Sequence, residues 1–270
     1  MTRLPRTSVL RLRLDGRHLT ATIDDPSTRN AMSEPLRADL MAVLGVIEDD
    51  VDDIRSLVLT GAHRLFCAGA DLKGDVRAET APDGSDPITA LSREGGALFH
   101  RLNACRVPVI AAVDGPAFGG GLGLACCADI VLCGPGARFA LSETRLGLIP
   151  AQIAPFVLAR IGLPAARRLA LTGRSLGPAE AAAVGLADAA FEHADALSAA
   201  VDAYLDDIGR CAPIANHQTK LLLLSLGQPN QDDVAFIDRA ATLFAEALRC
   251  AEGIEGIHAF SAKRKPDWTE

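Results

Sequence analysis

The sequence predicts an α/β fold, and two patterns carry the prediction: short apolar runs sized for buried strands, and a glycine-containing loop with a helical stretch after each. The runs are IRSLVLTG (residues 54–61) and VPVIAAVDG (107–115), and a third unit, ADIVLCG (128–134), leads into FALSETRLGLIP. Before them, Leu10, Leu12 and Leu14 alternate with Arg11 and Arg13, Asp15-Gly16 supplies a turn, and Leu19, Ala21 and Ile23 alternate again. That reads as a β-hairpin. Ser33 is placed to cap a helix whose apolar face is Leu36, Leu40, Leu44 and Ile47. The acidic cluster Asp49, Asp50, Asp52 and Asp53 reads as a solvated helix end, and the polar stretch between Gly74 and Ser92 as a surface loop. After Asp195 helical stretches alone remain (196–209, 214–226, 232–250 and 254–265). The expected organisation is an α/β core over residues 1–200 and a helical oligomerisation region over 201–270.

Composition bounds the function. The chain has 270 residues, 27 Lys and Arg against 34 Asp and Glu, and a net charge of −7; 49% is apolar and 4% aromatic. Such a chain folds and buries a core. Its acidic balance and scarce aromatics argue against a nucleic-acid partner, which would need cations and stacking platforms. No apolar run reaches the ~20 residues of a membrane span, and no apolar h-region follows the basic residues Arg3, Arg6, Arg11 and Arg13. Seven cysteines form no CxxC pair and no His/Cys ligand cluster, which reads as reduced thiols in a cytoplasmic protein without a structural metal. GGGLG (119–123) lacks the third glycine of a dinucleotide fingerprint, and no GxSxG, Walker A or HExxH occurs.

Two segments place small residues where a strand gives way to a helix: FCAGADLKG (66–74) and DGPAFGGGLGL (114–124). Backbone N–H groups at such turns lack helical partners and sit at the positive end of the helix dipole. Ala70 N–H and Gly120 N–H converging on one oxygen would form an oxyanion hole. The same residues also suit close packing of helix on strand. On the residues alone, both readings stand.

These two segments, with ARFALSETRLGLIP and EGIHAFSAKRKP, together resemble the crotonase superfamily of enoyl-CoA hydratases and isomerases, from about Leu10 to Pro266. The resemblance implies a spiral of ββα units with a C-terminal helical trimerisation region, assembled as a homotrimer or a dimer of trimers. It implies an acyl-CoA thioester whose carbonyl lies between Ala70 and Gly120, with Glu143 as the catalytic carboxylate. The CoA would lie near Arg29, Ala68, Asp71, Leu72 and Lys73, with Phe260 and Lys263 reaching the CoA of a neighbouring subunit. CoA enters as part of the substrate, and no separate cofactor is expected. The phosphates of CoA call for cations, so Arg29, Lys73 and Lys263 are expected to share a pocket.

One departure matters. The family's hydratases carry two glutamates, and the first falls here on Gly123, leaving Glu143 alone. A single carboxylate is what a Δ3,Δ2-enoyl-CoA isomerase needs. The segments GGGLGLACCADI and LGLIPAQIAPFVLARIG instead resemble hydratases of acyl-glutaconyl thioesters, whose extra carboxylate would favour a cation; Arg145 is a candidate by position. Three activities follow: hydration of a 2-enoyl-CoA, a branched acyl-glutaconyl one included; isomerisation of a 3-enoyl-CoA; and binding of acyl-CoA by an oligomer with little catalysis.

Overall fold

The computed structural model describes residues 3–49, 54–71, 86–226, 242 and 244–269. The chain divides into two compact units, Met1–Asp202 and Ala203–Glu270. The α/β class expected from the strand–loop–helix pattern is observed in the first.

The hairpin forms as the alternation requires: β1 (Leu10–Asp15) pairs antiparallel with β2 (His18–Ile23), and Gly16 turns the chain at a φ of +55°. β2 then accepts β3 (Ser56–Gly61) in parallel, and β4 (Val109–Val113) follows, also in parallel. β6 (Ile130–Cys133) and the two-residue β9 (Ala189–Ala190) complete a sheet of order β1-β2-β3-β4-β6-β9. Every residue of β4 is buried, and so are the first four of β3, which explains why both read as unbroken apolar runs. A second sheet, β5-β7-β8, joins Pro116–Phe118, Arg138–Ala140 and Ser175–Leu176. Strands of two or three residues carry no period, and the sequence alone did not reveal them.

Helices cover this framework. α1 (Glu34–Asp49) buries Leu36, Leu40, Leu44 and Ile47 on one face, as spaced. Its start differs from expectation: Arg37 N–H reaches the Ser33 carbonyl, while the Ser33 hydroxyl is buried with no hydrogen-bond partner among the described residues. α2 runs from Pro87 to Asn103, so residues 87–92 are helical and not loop. Asp86 starts it by accepting from Thr89 N–H and Oγ1, which fixes the helix further back than composition indicates. The rest of the expected loop, and Asp50, Asp52 and Asp53, lie outside the described residues. α3 (Gly120–Cys127) is buried along its length, and α4 (Ala154–Thr172) breaks at Gly162, whose φ is +68° two residues before Pro164. α5 (Pro178–Ala183) and α6 (Ala194–Arg210) follow.

In the second unit, α7 (Pro213–Leu226) and α8 (Ala251–Ala262) are joined by hydrogen bonds from Ile214 and Ala215 N–H to the Glu252 carboxylate. Trp268 Nε1 donates to the Arg210 carbonyl at 3.0 Å. No strand occurs there among the described residues, and the expected helix over 232–250 lies mostly outside them. Among the described residues no helix is long and apolar enough to cross a membrane. Five of the seven cysteines are buried thiols; Cys211 is exposed and Cys250 partly so.

Candidate active site

The two glycine-bearing segments are stitched together edge to edge. Phe66 and Cys67 N–H both donate to the Pro116 carbonyl, at 3.1 and 3.0 Å, and Phe118 N–H returns to Cys67 at 3.0 Å. Gly69 has a φ of +100° and lies so close to the Phe118 carbonyl that a Cβ there would stand 2.9 Å from its oxygen. Both demands select glycine. On the other side, Met32 N–H donates to the Gly69 carbonyl at 2.7 Å and bridges to Ala70 in parallel fashion. Ala70 N–H makes no hydrogen bond to a described residue.

Gly120 opens α3, so its N–H has no helical acceptor; the first helical bond is Gly123 N–H to the Gly119 carbonyl, 3.0 Å. A Cβ on Gly120 would lie 4.0 Å from the Ala70 nitrogen. Gly120 and Ala70 N are therefore neighbours at the N-terminal end of α3, which adds positive potential there. α3 comes this close because Gly121 has no side chain: a Cβ there would run into the Cys67 carbonyl and stand 2.8 Å from the Cys67 Cβ.

Glu143 arrives from the second sheet. β7 pairs in parallel with β5, and Gly119 N–H donates to the Ala140 carbonyl at 2.9 Å. Three residues later a short 3-10 helix, Glu143–Leu146, begins. The Glu143 Oε1 lies 2.9 Å from where a Gly119 Cβ would stand. Its Oε2 is sealed from solvent and has no hydrogen-bond partner among the described residues. Burial pushes the Glu143 carboxyl above the usual glutamate value, opposed in part by its own backbone N–H. A carboxyl in this state is suited to exchanging a proton with a bound molecule.

The position of Gly123, where the resemblance leads one to expect a first glutamate, is closed. A Cβ on Gly123 would stand 2.9 Å from Ile153 Cβ and 3.1 Å from Phe99 Cε1, and both side chains are buried. Phe99 from α2, Ile153 from the start of α4 and Met32, whose Cγ lies 3.2 Å from a Gly120 Cβ, line the donors' surroundings. Sequence reasoning missed all three. Each is an ordinary apolar residue, and only long-range packing gives it a place at the site.

The remaining candidates fall in several places. Ala68 and Asp71 flank Ala70 and are partly exposed. Arg29 is exposed at a φ of +60°, at the tip of a turn in which Asp25 accepts from Ser27 and Thr28 while Asn30 donates to the Leu65 carbonyl at 2.8 Å. That network ties the Arg29 turn to the Ala70 loop. Leu72 and Lys73 lie outside the described residues. Phe260, 86% exposed, and Lys263, the left-handed cap of α8, belong to the second unit. Arg145 turns away to the end of α4, bonding the Thr172 carbonyl and packing on Gly173. Among the described residues no three His, Cys, Asp or Glu side chains gather as a metal-binding group.

A family profile described as enoyl-CoA hydratase/isomerase matches residues 19–270. The chain belongs to that family, within the crotonase superfamily. An enoyl-CoA hydratase/isomerase from Marinobacter aquaeolei superposes with a TM-score of 0.91 at 42% identity, covering 97% of this chain and 99% of that one. The fold is therefore the crotonase fold. An enoyl-CoA hydratase of Alternaria alternata is 34% identical over 243 residues, 89% of this chain and 77% of that protein. A carnitinyl-CoA dehydratase of Proteus mirabilis is 31% identical over 263 residues, 96% of this chain and 97% of that protein. The protein is an enzyme of the crotonase family, and an acyl-CoA thioester is the substrate consistent with that membership.

Proposed function

We propose that the protein hydrates a 2-enoyl-CoA with one carboxylate, and the observation that carries this is Glu143, whose Oε2 is buried with no partner among the described residues, standing beside Gly119 and the start of α3. The thioester carbonyl accepts from the N–H groups of Ala70 and Gly120. Glu143 takes a proton from water as the water oxygen bonds to C3. Electrons move from the C2–C3 double bond toward the carbonyl oxygen, where the two donors hold the enolate charge. Glu143 then returns a proton to C2, giving a 3-hydroxyacyl-CoA. One donor of such a pair is worth about 3–4 kcal/mol in the transition state.

The CoA is assigned to Arg29, Ala68, Asp71, Leu72 and Lys73, and Phe260 and Lys263 to the CoA of a neighbouring copy in a trimer or dimer of trimers built through the helical region. CoA comes with the substrate, and the residues ask for no further cofactor. A branched acyl-glutaconyl thioester remains the substrate suggested by the motifs, although Arg145, held at Thr172, is not placed to read its carboxylate.

A second reading has its own support. Ile153 and Phe99 make the closed position at Gly123 apolar, as suits Δ3,Δ2-isomerisation, where Glu143 would carry one proton from C2 or C4 to the other. Product analysis separates the two. Supplied with a 2-enoyl-CoA, a hydratase yields 3-hydroxyacyl-CoA; a pure isomerase leaves hydration undetected and converts 3-enoyl-CoA to 2-enoyl-CoA.

A further inference from the structure

The Glu143 carboxylate is not held in place by its buried oxygen, because Oε2 has no hydrogen-bond partner among the described residues. Its position is set by the backbone that carries it, the short 3-10 helix Glu143–Leu146. A single turn of this kind has poor hydrogen-bond geometry and keeps its place only through outside ties. On the upstream side the tie is the bond from Gly119 N–H to the Ala140 carbonyl. Downstream, Leu148 N–H closes the turn onto the Glu143 carbonyl at 3.0 Å, but every residue from 144 to 149 is exposed, so burial does not fix the segment.

Two side chains do. Thr144 Oγ1 donates to the Ala170 carbonyl at 2.8 Å, and Arg145 Nη2 reaches the Thr172 carbonyl at 3.4 Å. The Arg145 stem lies over Gly173, where a Cβ would stand 2.9 Å from its Cγ. Both acceptors belong to the last turn of α4, whose carbonyls have no helical N–H ahead of them. Gly173 N–H turns back to Leu169, and Arg174 N–H to Thr172 Oγ1, which leaves the Ala170 and Thr172 carbonyls to outside donors. The negative end of the helix dipole also favours a guanidinium there. Past Gly173 the chain enters β8, which pairs antiparallel with β7, the strand leading to Glu143. The two stretches thus meet twice, once in the sheet and once at the end of α4.

Resting on the reading of Glu143 as the acid/base, we infer that Thr144 and Arg145 are positioning residues: by bonding the open carbonyls at the end of α4 they hold the 3-10 helix, and with it the Glu143 carboxylate, beside Gly119. Proton transfer needs the carboxylate within hydrogen-bond reach of the reacting atoms, and a misplacement of about 1 Å can cost about 10²-fold in rate. The two ties therefore act on the chemical step and leave thioester binding alone.

The test is steady-state hydration of a 2-enoyl-CoA by variants at these exposed positions, with Tm measured on each. Thr144→Val, which keeps the shape and removes the donor, is expected to lower kcat roughly tenfold with KM and Tm close to wild type. Thr144→Ser, which keeps the hydroxyl, restores most of that loss. Arg145→Met, which keeps the stem over Gly173, lowers kcat roughly threefold, since its bond is the longer and more exposed one. In a Glu143→Gln background, Thr144→Val has no further effect. A kcat unchanged in Thr144→Val, a loss that Thr144→Ser shares in full, or a loss spread equally over KM and Tm overturns the inference. If Glu143→Gln hydrates as fast as the wild type, the acid/base reading fails by itself. Amide hydrogen exchange over residues 141–149 then decides the anchoring: faster exchange in Thr144→Val than in Thr144→Ser supports it, and equal exchange overturns it.

Discussion

Glu143 and Gly123 stand where the family resemblance leads one to expect the two carboxylates of a hydratase, and the chain has treated the two positions in opposite ways. Around Glu143 it leaves a polar atom buried with nothing to bond among the described residues, a state that costs stability unless a ligand uses it. Around Gly123 it has packed Ile153 and Phe99 until no Cβ fits. The difference is a commitment of the core, not a missing side chain. Restoring a glutamate at 123 would require the walls of the site to move.

Adding atoms where the packing forbids them separates the two positions. Gly121→Ala forces a methyl onto the Cys67 backbone, which cannot rotate away, and is expected to cost about 3 kcal/mol in denaturant unfolding. Gly123→Glu meets side chains instead and is expected to cost about 1–3 kcal/mol without raising turnover. Ile153→Ala in that background sharpens the point by recovering part of the loss. Gly120→Ala keeps its N–H but sets a methyl beside Ala70 N and Met32. A drop of about tenfold in kcat/KM with little loss of stability is expected from steady-state kinetics.

The smallest effect is on stability against pH. The folded-state carboxyl of Glu143 is raised, so the folded chain holds its proton more tightly than the unfolded chain. Stability from this group therefore falls as pH rises from the ordinary value of 4.5 through the raised one, and stays lower above it. Glu143→Gln removes that penalty. Its Tm should exceed the wild type's at neutral pH and match it at acid pH below the ordinary glutamate range.

Much of this arrangement was legible in the sequence where a local pattern encodes it. The hairpin, β3 and β4 follow from period and apolar runs, FCAGADLKG and DGPAFGGGLGL show as junctions rich in small residues, and Glu143 is singled out by the family resemblance alone. What escaped is what distance decides. Pro116–Phe118, Arg138–Ala140 and Ser175–Leu176 are too short to show a period, yet β5 and β7 bring Gly119 to Glu143. Ser33 sits where a cap belongs, but its hydroxyl bonds nothing among the described residues. Asp86 starts α2 within a stretch whose composition says loop. Ile153 and Gln152, adjacent in the chain, close Gly123 and cover Gly96, and nothing in their identity announces either role.

In the proposed reaction Glu143 alone moves the protons. Turnover of 2-enoyl-CoA and 3-enoyl-CoA by Glu143→Gln, with CoA thioester affinity measured in parallel, tests it most directly. Loss of about 10²–10⁴ in kcat on both, at near-wild-type affinity, is the result expected of a lone acid/base. A variant that hydrates or isomerises as fast as the wild type would place the proton transfer elsewhere.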